Sequence, residues 1–295
     1  MSTALRPDRA ASRLRRTPGR RAAGPLVGLR SHSIAVWVMA GLAVAFLVAP
    51  SIFVIIVSFG EGRFIRFPPS GWTTHWFEQI GSVFWSATWF SMKVAVASAV
   101  ISLLLGVPAA LALTRGRYRT RPLVDGLLRA PLQVPYIVMG VAFLQYYRLI
   151  GELGGPLLLG TTTGLIVAHT IVTAPFVISA AVAGLERFDR NLEDAAYGLG
   201  MGKTRTFFRI TLPSIRTSLF AGAFFAFLVS FDNVPVSLYL GVADSNTLPV
   251  LMFQTAETAP SPTLYAVSTA VIVASVLAIT TFNRFIGIRG AVSVG

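Results

Sequence analysis

The chain has 295 residues, of which 54% are hydrophobic and 13% are charged, and its mean hydropathy is +0.68. A soluble fold of this composition would expose far too much apolar surface, so the composition predicts an integral membrane protein. The lack of cysteine excludes disulfide bonds, iron–sulfur ligation and thiol catalysis. A formal charge of +13 fits membrane loops more simply than nucleic-acid binding, and the three histidines lack the spacing of metal ligands.

The first 33 residues contain eight arginines and a single acid. This composition is too polar to build a core, so residues 1–33 are expected to form a disordered basic tail. Arg15 and Arg16 precede an apolar run, as they would in a twin-arginine signal. That run is too long for the apolar region of a signal peptide, and no convincing small-residue cleavage site follows it, so the signal is disfavoured.

Six apolar stretches are long enough to cross a bilayer. The first, residues 34–59, has no charged residue and as a helix would extend about 39 Å, more than the roughly 30 Å of hydrocarbon. The third contains Pro131 and Pro135, which predict a broken or kinked helix. The sequence thus predicts an all-α membrane domain over residues 34–290, with spans at about 34–59, 86–114, 130–150, 164–185, 218–241 and 264–286.

Basic residues are distributed unevenly between the two sides of this predicted domain. One side, which carries both termini and the loops after the second and fourth spans, holds 21 of the 25 lysines and arginines. The positive-inside rule therefore predicts that both termini and the segment 186–217 are cytoplasmic. Within the spans, Lys93 is expected to snorkel to the outer headgroups, and His169 is expected to hydrogen-bond between helices.

Residues 192–213, LEDAAYGLGMGKTRTFFRITLP, form the longest polar interruption in the second half of the chain. Small residues beside carboxylates favour a short helix that another protein can approach closely, and the following glycines permit a turn with positive φ. We therefore expect a helix, a sharp turn and a second helix that dock into a cleft of another protein. A solvated loop is the plainer alternative.

The spacing within this segment resembles the EAA motif of ABC importer permeases, which reads E-A-A, three residues, G, nine residues, I-x-L-P. The acidic position is occupied by Asp194, with Glu193 beside it, so either residue supplies the carboxylate. Three further segments resemble spermidine/putrescine-type permeases, and the likeness covers nearly all of the chain after residue 34. These segments are VSFGEGRFIRFPPSGWTTHWF, LQVPYIVMGVAFL and SFDNVPVSLYLGVADSNTLPVLMF.

The resemblance implies a type I ABC importer permease fold in the bacterial inner membrane. It implies as partners a dimer of cytoplasmic ATPase subunits, a second related permease subunit and an external solute-binding protein. The chain has no phosphate-binding Gly-x-x-x-x-Gly-Lys-Ser/Thr sequence, so it is expected to be a non-catalytic subunit with no cofactor, while ATP and Mg are used by the ATPase. The residues implied in coupling to that ATPase are Glu193, Asp194, Ala195, Ala196, Gly200, Ile210, Leu212 and Pro213.

Asp232 is the one carboxylate within a predicted span. A charge at the centre of a membrane helix costs about 2.5 to 3.5 kcal/mol on insertion scales, so this residue marks either a pathway or an internal polar contact. In the first interpretation, Asp232 lines a passage for a cationic solute together with Phe231 and Tyr239. In the second, its carboxylate caps backbone amides that an interrupted helix leaves free.

The resemblance favours import of a polyamine or a similar small organic cation. The same machine could import an amino acid derivative, a phosphonate or a metal chelate, because the motif does not recognise the solute. An ion-driven secondary transporter would require several intramembrane acids and an inverted repeat, whereas the spans contain one acid and no convincing repeat. A membrane enzyme is disfavoured because the spans contain no pairing of nucleophile and base.

Overall fold

The computed structural model describes residues 29–62, 66–243, 245–258 and 261–291. The predicted tail lies outside these residues up to position 28, and a helix begins within its last residues. The structure divides into two units, of which the first ends at Ile52 and the second begins at Phe53. Everything described below, apart from the first helix, belongs to the second unit.

The described residues are helical and contain no β-strand, which confirms the predicted all-α class. Two isolated β-bridges join Gly60 to Trp72 and Gly160 to Val242. The helices are α1 (Leu29–Ser58), α2 (His75–Glu78), α3 (Ser82–Arg115), α4 (Arg121–Arg129), α5 (Tyr136–Glu152), α6 (Thr162–Arg187), α7 (Asn191–Gly198), α8 (Lys203–Thr206), α9 (Leu212–Phe231), α10 (Val234–Leu240), α11 (Leu248–Thr258) and α12 (Pro262–Ala291). A 3-10 turn (Ala130–Leu132) follows α4, and a π-helical turn (Phe207–Thr211) joins α8 to α9.

Five helical segments are long and apolar enough to cross a membrane: Val36–Ser58, Ser82–Arg115, Thr162–Arg187, Lys203–Phe231 and Pro262–Thr281. A sixth span arises if the helical pair on either side of residues 133–135 is counted as one, although the pair is bent by 103°. The bend falls where the sequence places Pro131 and Pro135. Proline lacks the amide hydrogen of a helix interior and moves the preceding residue away from helical geometry, so the helix breaks there.

Helices α3, α6 and α9 form the core of the second unit, and small residues let them approach closely. A Cβ added at Gly106 of α3 would lie 3.0 Å from the Val177 side chain of α6. One added at Gly222 of α9 would lie 2.8 Å from the Cβ of Ala180. In a bilayer, where no hydrophobic force drives helices together, such close backbone packing is a main source of association. The three helices therefore form a rigid block.

A buried histidine ties this block to the short helix that follows it. His169 of α6 is only 1% exposed. Its Nδ1 lies 2.8 Å from the Ser230 hydroxyl at the end of α9, and its Nε2 lies 3.0 Å from the Ser237 hydroxyl of α10. His169 thus hydrogen-bonds between helices, as the sequence predicts. Its two hydrogen bonds hold the end of α9 and the start of α10 on either side of the helix interruption at residues 232–233.

Two other features concern the outer half predicted for the domain. The Lys93 ammonium lies 5.7 Å from the ring centroid of Trp89, one turn nearer the start of α3. This direction agrees with the snorkelling that the sequence predicts, and the ring stabilises the charge through a cation–π contact.

The loop after α10 contains α11, which hydropathy did not predict, and its Leu248 amide donates to the Ser91 hydroxyl at 2.8 Å.

Candidate functional site

The polar segment that carries the motif begins with α7. The Asp189 carboxylate accepts from the Asn191 amide at 3.0 Å, which fixes the chain just before the helix. Glu193 and Asp194 lie in the first turn, where carboxylates interact favourably with the helix dipole. The expected short helix therefore forms directly in front of the expected turn.

Gly200 ends α7 with φ of +80°, the left-handed conformation that favours glycine. The Met201 amide donates to the Ala196 carbonyl, and the Gly200 amide donates to the Tyr197 carbonyl, each at 2.9 Å. This pair of bonds is the Schellman arrangement that closes many helices. Gly202 has φ of −69°, so the turn requires glycine at position 200 and not at position 202.

The second helix of the motif runs without interruption into the membrane. Helix α8, the π turn and α9 form one apolar segment, Lys203–Phe231, that is long enough to span a bilayer. Pro213 lies in the first turn of α9 and has no amide hydrogen to donate to the preceding turn, which explains why the hydrogen-bond ladder widens at Phe207–Thr211. Ile210 and Leu212 are half-buried beside it. The second half of the motif, from Lys203 onward, is thus continuous with a membrane helix.

The two adjacent carboxylates of the motif have opposite environments. Glu193 is 6% exposed. Its Oε1 accepts from the Arg115 guanidinium at 2.5 Å and from the Thr211 hydroxyl. Asp194 is exposed, and within the described part of the chain its carboxylate has no hydrogen bond or ion pair. Glu193 therefore fastens α7 to the protein, and Asp194 is available to a partner.

Helix α7 and the turn after it also expose apolar side chains near Asp194 in the sequence. Leu199 at the tip of the turn is 87% exposed, while Leu192 and Tyr197 are also exposed and Ala196 is buried. We call the exposed set Leu192, Asp194, Ala195, Tyr197 and Leu199 the α7 outer face. A leucine this exposed at a polar turn gains stabilisation only if another surface covers it. The α7 outer face combines exposed apolar side chains with a carboxylate, as protein-docking surfaces do.

The second candidate site is the break between α9 and α10. Helix α9 ends at Phe231, and the Asn233 side chain accepts from the Val236 amide at 3.0 Å to cap α10. The break thus exists, but its cap is Asn233 and not Asp232, so the capping interpretation of Asp232 is wrong. Asp232 is exposed, and its carboxylate has no bonded partner among the residues that the structure describes.

The two aromatic residues predicted to accompany Asp232 face different neighbours. Phe231 packs against Leu248 and Val267, and it lines an apolar cavity of about 310 Å³ together with Phe227. The rings of Phe227 and Phe231 stack with centroids 5.8 Å apart. Tyr239 instead packs on α5, since a Cβ at Gly140 would lie 2.8 Å from its ring. Tyr239 is therefore not among the described residues that line this cavity.

Sequence reasoning missed three residues that shape these sites. Arg115 and Thr211 hold Glu193, and no local pattern links residues so far apart in the chain. Asn233 was detectable, since an asparagine followed two residues later by proline is a frequent helix start. Across the described ranges, no group of His, Cys, Asp and Glu side chains could hold a metal ion.

Residues 102–288 match the protein family described as "Binding-protein-dependent transport system inner membrane component". The putrescine transport system permease protein PotI of Escherichia coli K12 is 29% identical over 78% of this chain and 83% of its own length. The spermidine/putrescine transport system permease protein PotC of the same strain is 30% identical over 79% and 86%. A bacterial ABC transporter involved in the import of the acidic polysaccharide alginate matches the fold with a TM-score of 0.58 and 16% identity, over 88% of this chain and 96% of that one.

Proposed function

This chain belongs to the family of binding-protein-dependent transport system inner membrane components, the non-catalytic permease subunits of ABC importers, and we propose that its α7 outer face docks the ATPase of such an importer. Membership of this family decides against the ion-driven secondary transporter. The chain lies in the inner membrane, and its family works with a separate ATPase and a binding protein. The identity of those partners is part of the proposal.

The observation that carries the docking proposal is the exposure of Leu199 at the tip of a turn closed by Gly200. Two backbone hydrogen bonds close the turn, and Gly200 supplies the positive φ that they require, so the turn presents Leu199 at the end of α7. Segment 186–217 is then cytoplasmic, as are both termini. ATP and Mg are bound by the partner ATPase and supply the energy for transport.

We propose that the imported solute is putrescine, spermidine or a similar small organic cation. Two relatives named for these solutes support this proposal. The free carboxylate of Asp232 supports it independently, because an unpaired acid at a break in a membrane helix is costly unless a cation or water reaches it. Phe227 and Phe231, stacked directly before Asp232, offer π faces to a cation and apolar surface to its methylene chain.

The proposed mechanism follows from the continuity between the motif and the membrane. Docking displaces α7, and the turn closed by Gly200 passes the displacement to α8, the π turn and α9, which form one continuous helical segment, Lys203–Phe231. Helix α9 ends at Phe231, so its movement changes the surroundings of Asp232. The passage is thereby switched between the two sides of the membrane as a rigid-body change of the importer. A second, related permease subunit completes the passage.

The test is to co-express the tagged chain with the genes that flank it, purify the assembly in mild detergent and assay ATP hydrolysis. We expect an ATPase to copurify, and its hydrolysis to rise when binding protein and putrescine or spermidine are added. Succinate, an anion of similar length to putrescine, is the matched control and should have no effect. An ATPase that ignores both polyamines would contradict the cation proposal and favour another solute. A chain that purifies without any ATPase would contradict the docking proposal.

A further inference from the structure

The inner side of α7 is attached to the membrane helices by side chains that lie outside the docking surface. Glu193 receives two donors from different parts of the chain. One is Arg115, the last residue of α3, and the other is Thr211, at the end of the π turn before α9. A single carboxylate thus joins three segments: α7, the end of α3 and the start of α9.

A second contact ties the same two elements together. The Arg190 guanidinium, just before α7, donates to the Thr114 carbonyl of α3 at 2.9 Å. Thr114 and Arg115 are consecutive, so α7 contacts the last turn of α3 both before its first residue and within its first turn. Two anchors on one helical turn resist rotation of α7 as well as its separation from α3.

We infer that Arg115, Glu193 and Thr211 form a transmission clamp, which makes α3 and α9 move together when the ATPase displaces α7. The inference rests on the proposed docking of α7. Helix α9 is also linked to α7 through the backbone, but α3 has no such link. Helix α6 joins α7 directly through residues 188–190, and the Arg190 bond already contacts Thr114 of α3. The clamp adds the one carboxylate that bonds the end of α3 and the start of α9 at the same time, so without it α3 would follow through the Arg190 contact and helix packing alone. The three residues are positioning residues that contact neither ATPase nor solute.

The chemistry of the clamp suits this role. Hydrogen bonds between ionised groups are shorter and stronger than neutral ones, and burial of Glu193 shields its bonds from water. Removing Arg115 leaves the buried Glu193 carboxylate without its charged partner, so the position of Glu193 depends on Arg115. Asp194, one position further on, is exposed and has no bonded partner among the residues that the structure describes. The structure thereby separates attachment from docking within two adjacent residues.

The test compares Arg115→Gln and Glu193→Gln with wild type in the complete importer, reconstituted in proteoliposomes with the copurified ATPase and binding protein. The ratio of solute imported to ATP hydrolysed is expected to fall about tenfold, because each variant loses a charge-assisted hydrogen bond. The amount of ATPase that copurifies is expected to stay unchanged, since the α7 outer face is intact. Arg119→Gln, an exposed arginine four residues beyond Arg115, is the matched control and should resemble wild type.

Two further variants keep the inference testable if the first ones fold poorly. Thr211→Val removes one donor without leaving a charge unpaired, and it should lower the same ratio about threefold. The exchange of Arg115→Glu with Glu193→Arg restores the ion pair and should recover part of the ratio. Thr211→Val with a wild-type ratio, or single variants that import normally per ATP, would overturn the clamp. Wild-type permease that purifies without the ATPase would instead contradict the docking proposal, on which the clamp rests.

Discussion

The α7 segment and the α9–α10 break are built on the same plan from different residues. Each contains two adjacent polar residues, of which one is buried and hydrogen-bonded and the other is exposed, with no bonded partner in the described part of the chain. In α7 the bonded residue is Glu193 and the exposed one is Asp194. At the break the bonded residue is Asn233 and the exposed one is Asp232. A polar pair in such a chain therefore divides into a residue that holds the backbone and a residue that faces a partner or solute.

The two regions differ in how far the bonded residue reaches. Asn233 caps the helix that begins one residue later, so it makes a contact within one helix. Glu193 joins α7 to α3 and to the start of α9, so it makes tertiary contacts. A change at Asn233 should therefore remain confined to α10, whereas a change at Glu193 should be felt across the importer. The predictions below separate the exposed member of each pair from the bonded one.

The largest effect is expected at the tip of the α7 outer face. Leu199→Asp should weaken binding of the ATPase about 30-fold, since loss of a central apolar contact at an interface costs about 2 kcal/mol. Binding is measured by titrating detergent-purified permease with the labelled ATPase. Leu153→Asp, a leucine that is 78% exposed after α5, is the matched control. Equal binding by both variants would contradict the assignment of this surface.

The exposed residue of the second pair should affect transport and not assembly. Asp232→Asn removes the charge and keeps the shape, so uptake of putrescine into proteoliposomes should fall about tenfold, or about 1.4 kcal/mol for a lost electrostatic contact. Copurification of the ATPase should not change. Uptake at the wild-type rate would show that the carboxylate does not contact the cation, and would return this position to a structural role.

The turn between the two helices of the motif should depend on one glycine. Gly200→Ala places a side chain at φ of +80° and should cost about 1 kcal/mol, lowering ATPase affinity about fivefold. Gly202→Ala is the control, because an added Cβ there meets no atom within 4 Å and the backbone is extended. The same titration measures both. A loss for Gly202→Ala as large as that for Gly200→Ala would contradict the requirement for positive φ at position 200.

The smallest effect is expected at the bonded residue of the break. Asn233→Ala should lower the stability of the purified permease by about 1 kcal/mol, the usual cost of losing a helix cap. Thermal unfolding in detergent should show the loss, and Asp232→Ala should not, since Asp232 makes no bond among the described residues. If Asp232→Ala were the more destabilising of the two, Asp232 and not Asn233 would be the residue that stabilises this break.

Much of this arrangement follows from the sequence, and the remainder depends on distant contacts. Apolar runs indicate the membrane helices, Pro131 and Pro135 indicate the bend before α5, and Gly200 indicates the turn after α7. The partners of Glu193 were out of reach, because Arg115 lies 78 residues away and only the packing of α3 against α6 and α9 brings it near. The sequence indicated Glu193, Asp194 and Asp232 as candidate residues, and the structure added Asn233 and showed which residue of each pair is buried and bonded.

The roles of Glu193 and Asn233 also show why a motif alone is insufficient. The EAA pattern places Asp194 at its acidic position with Glu193 as the alternative, and it does not distinguish their roles; the structure gives the tertiary contacts to Glu193. At the break, the sequence pattern highlights the charged Asp232, whereas the neutral Asn233 is the residue that caps α10. In both regions the charged residues indicate where the site lies in the sequence, and the hydrogen bonds in the structure show which residue stabilises the fold.

The most direct test of the docking surface uses the natural absence of cysteine from this chain. Leu199→Cys introduces a single thiol, which a maleimide–succinimide reagent can link to lysines of a bound protein in membranes that contain the whole importer. We predict a crosslink between position 199 and the ATPase, and none from Leu153→Cys, an equally accessible thiol elsewhere. Absence of the crosslink at 199, or the same crosslink from both positions, would contradict docking of the ATPase on the α7 outer face.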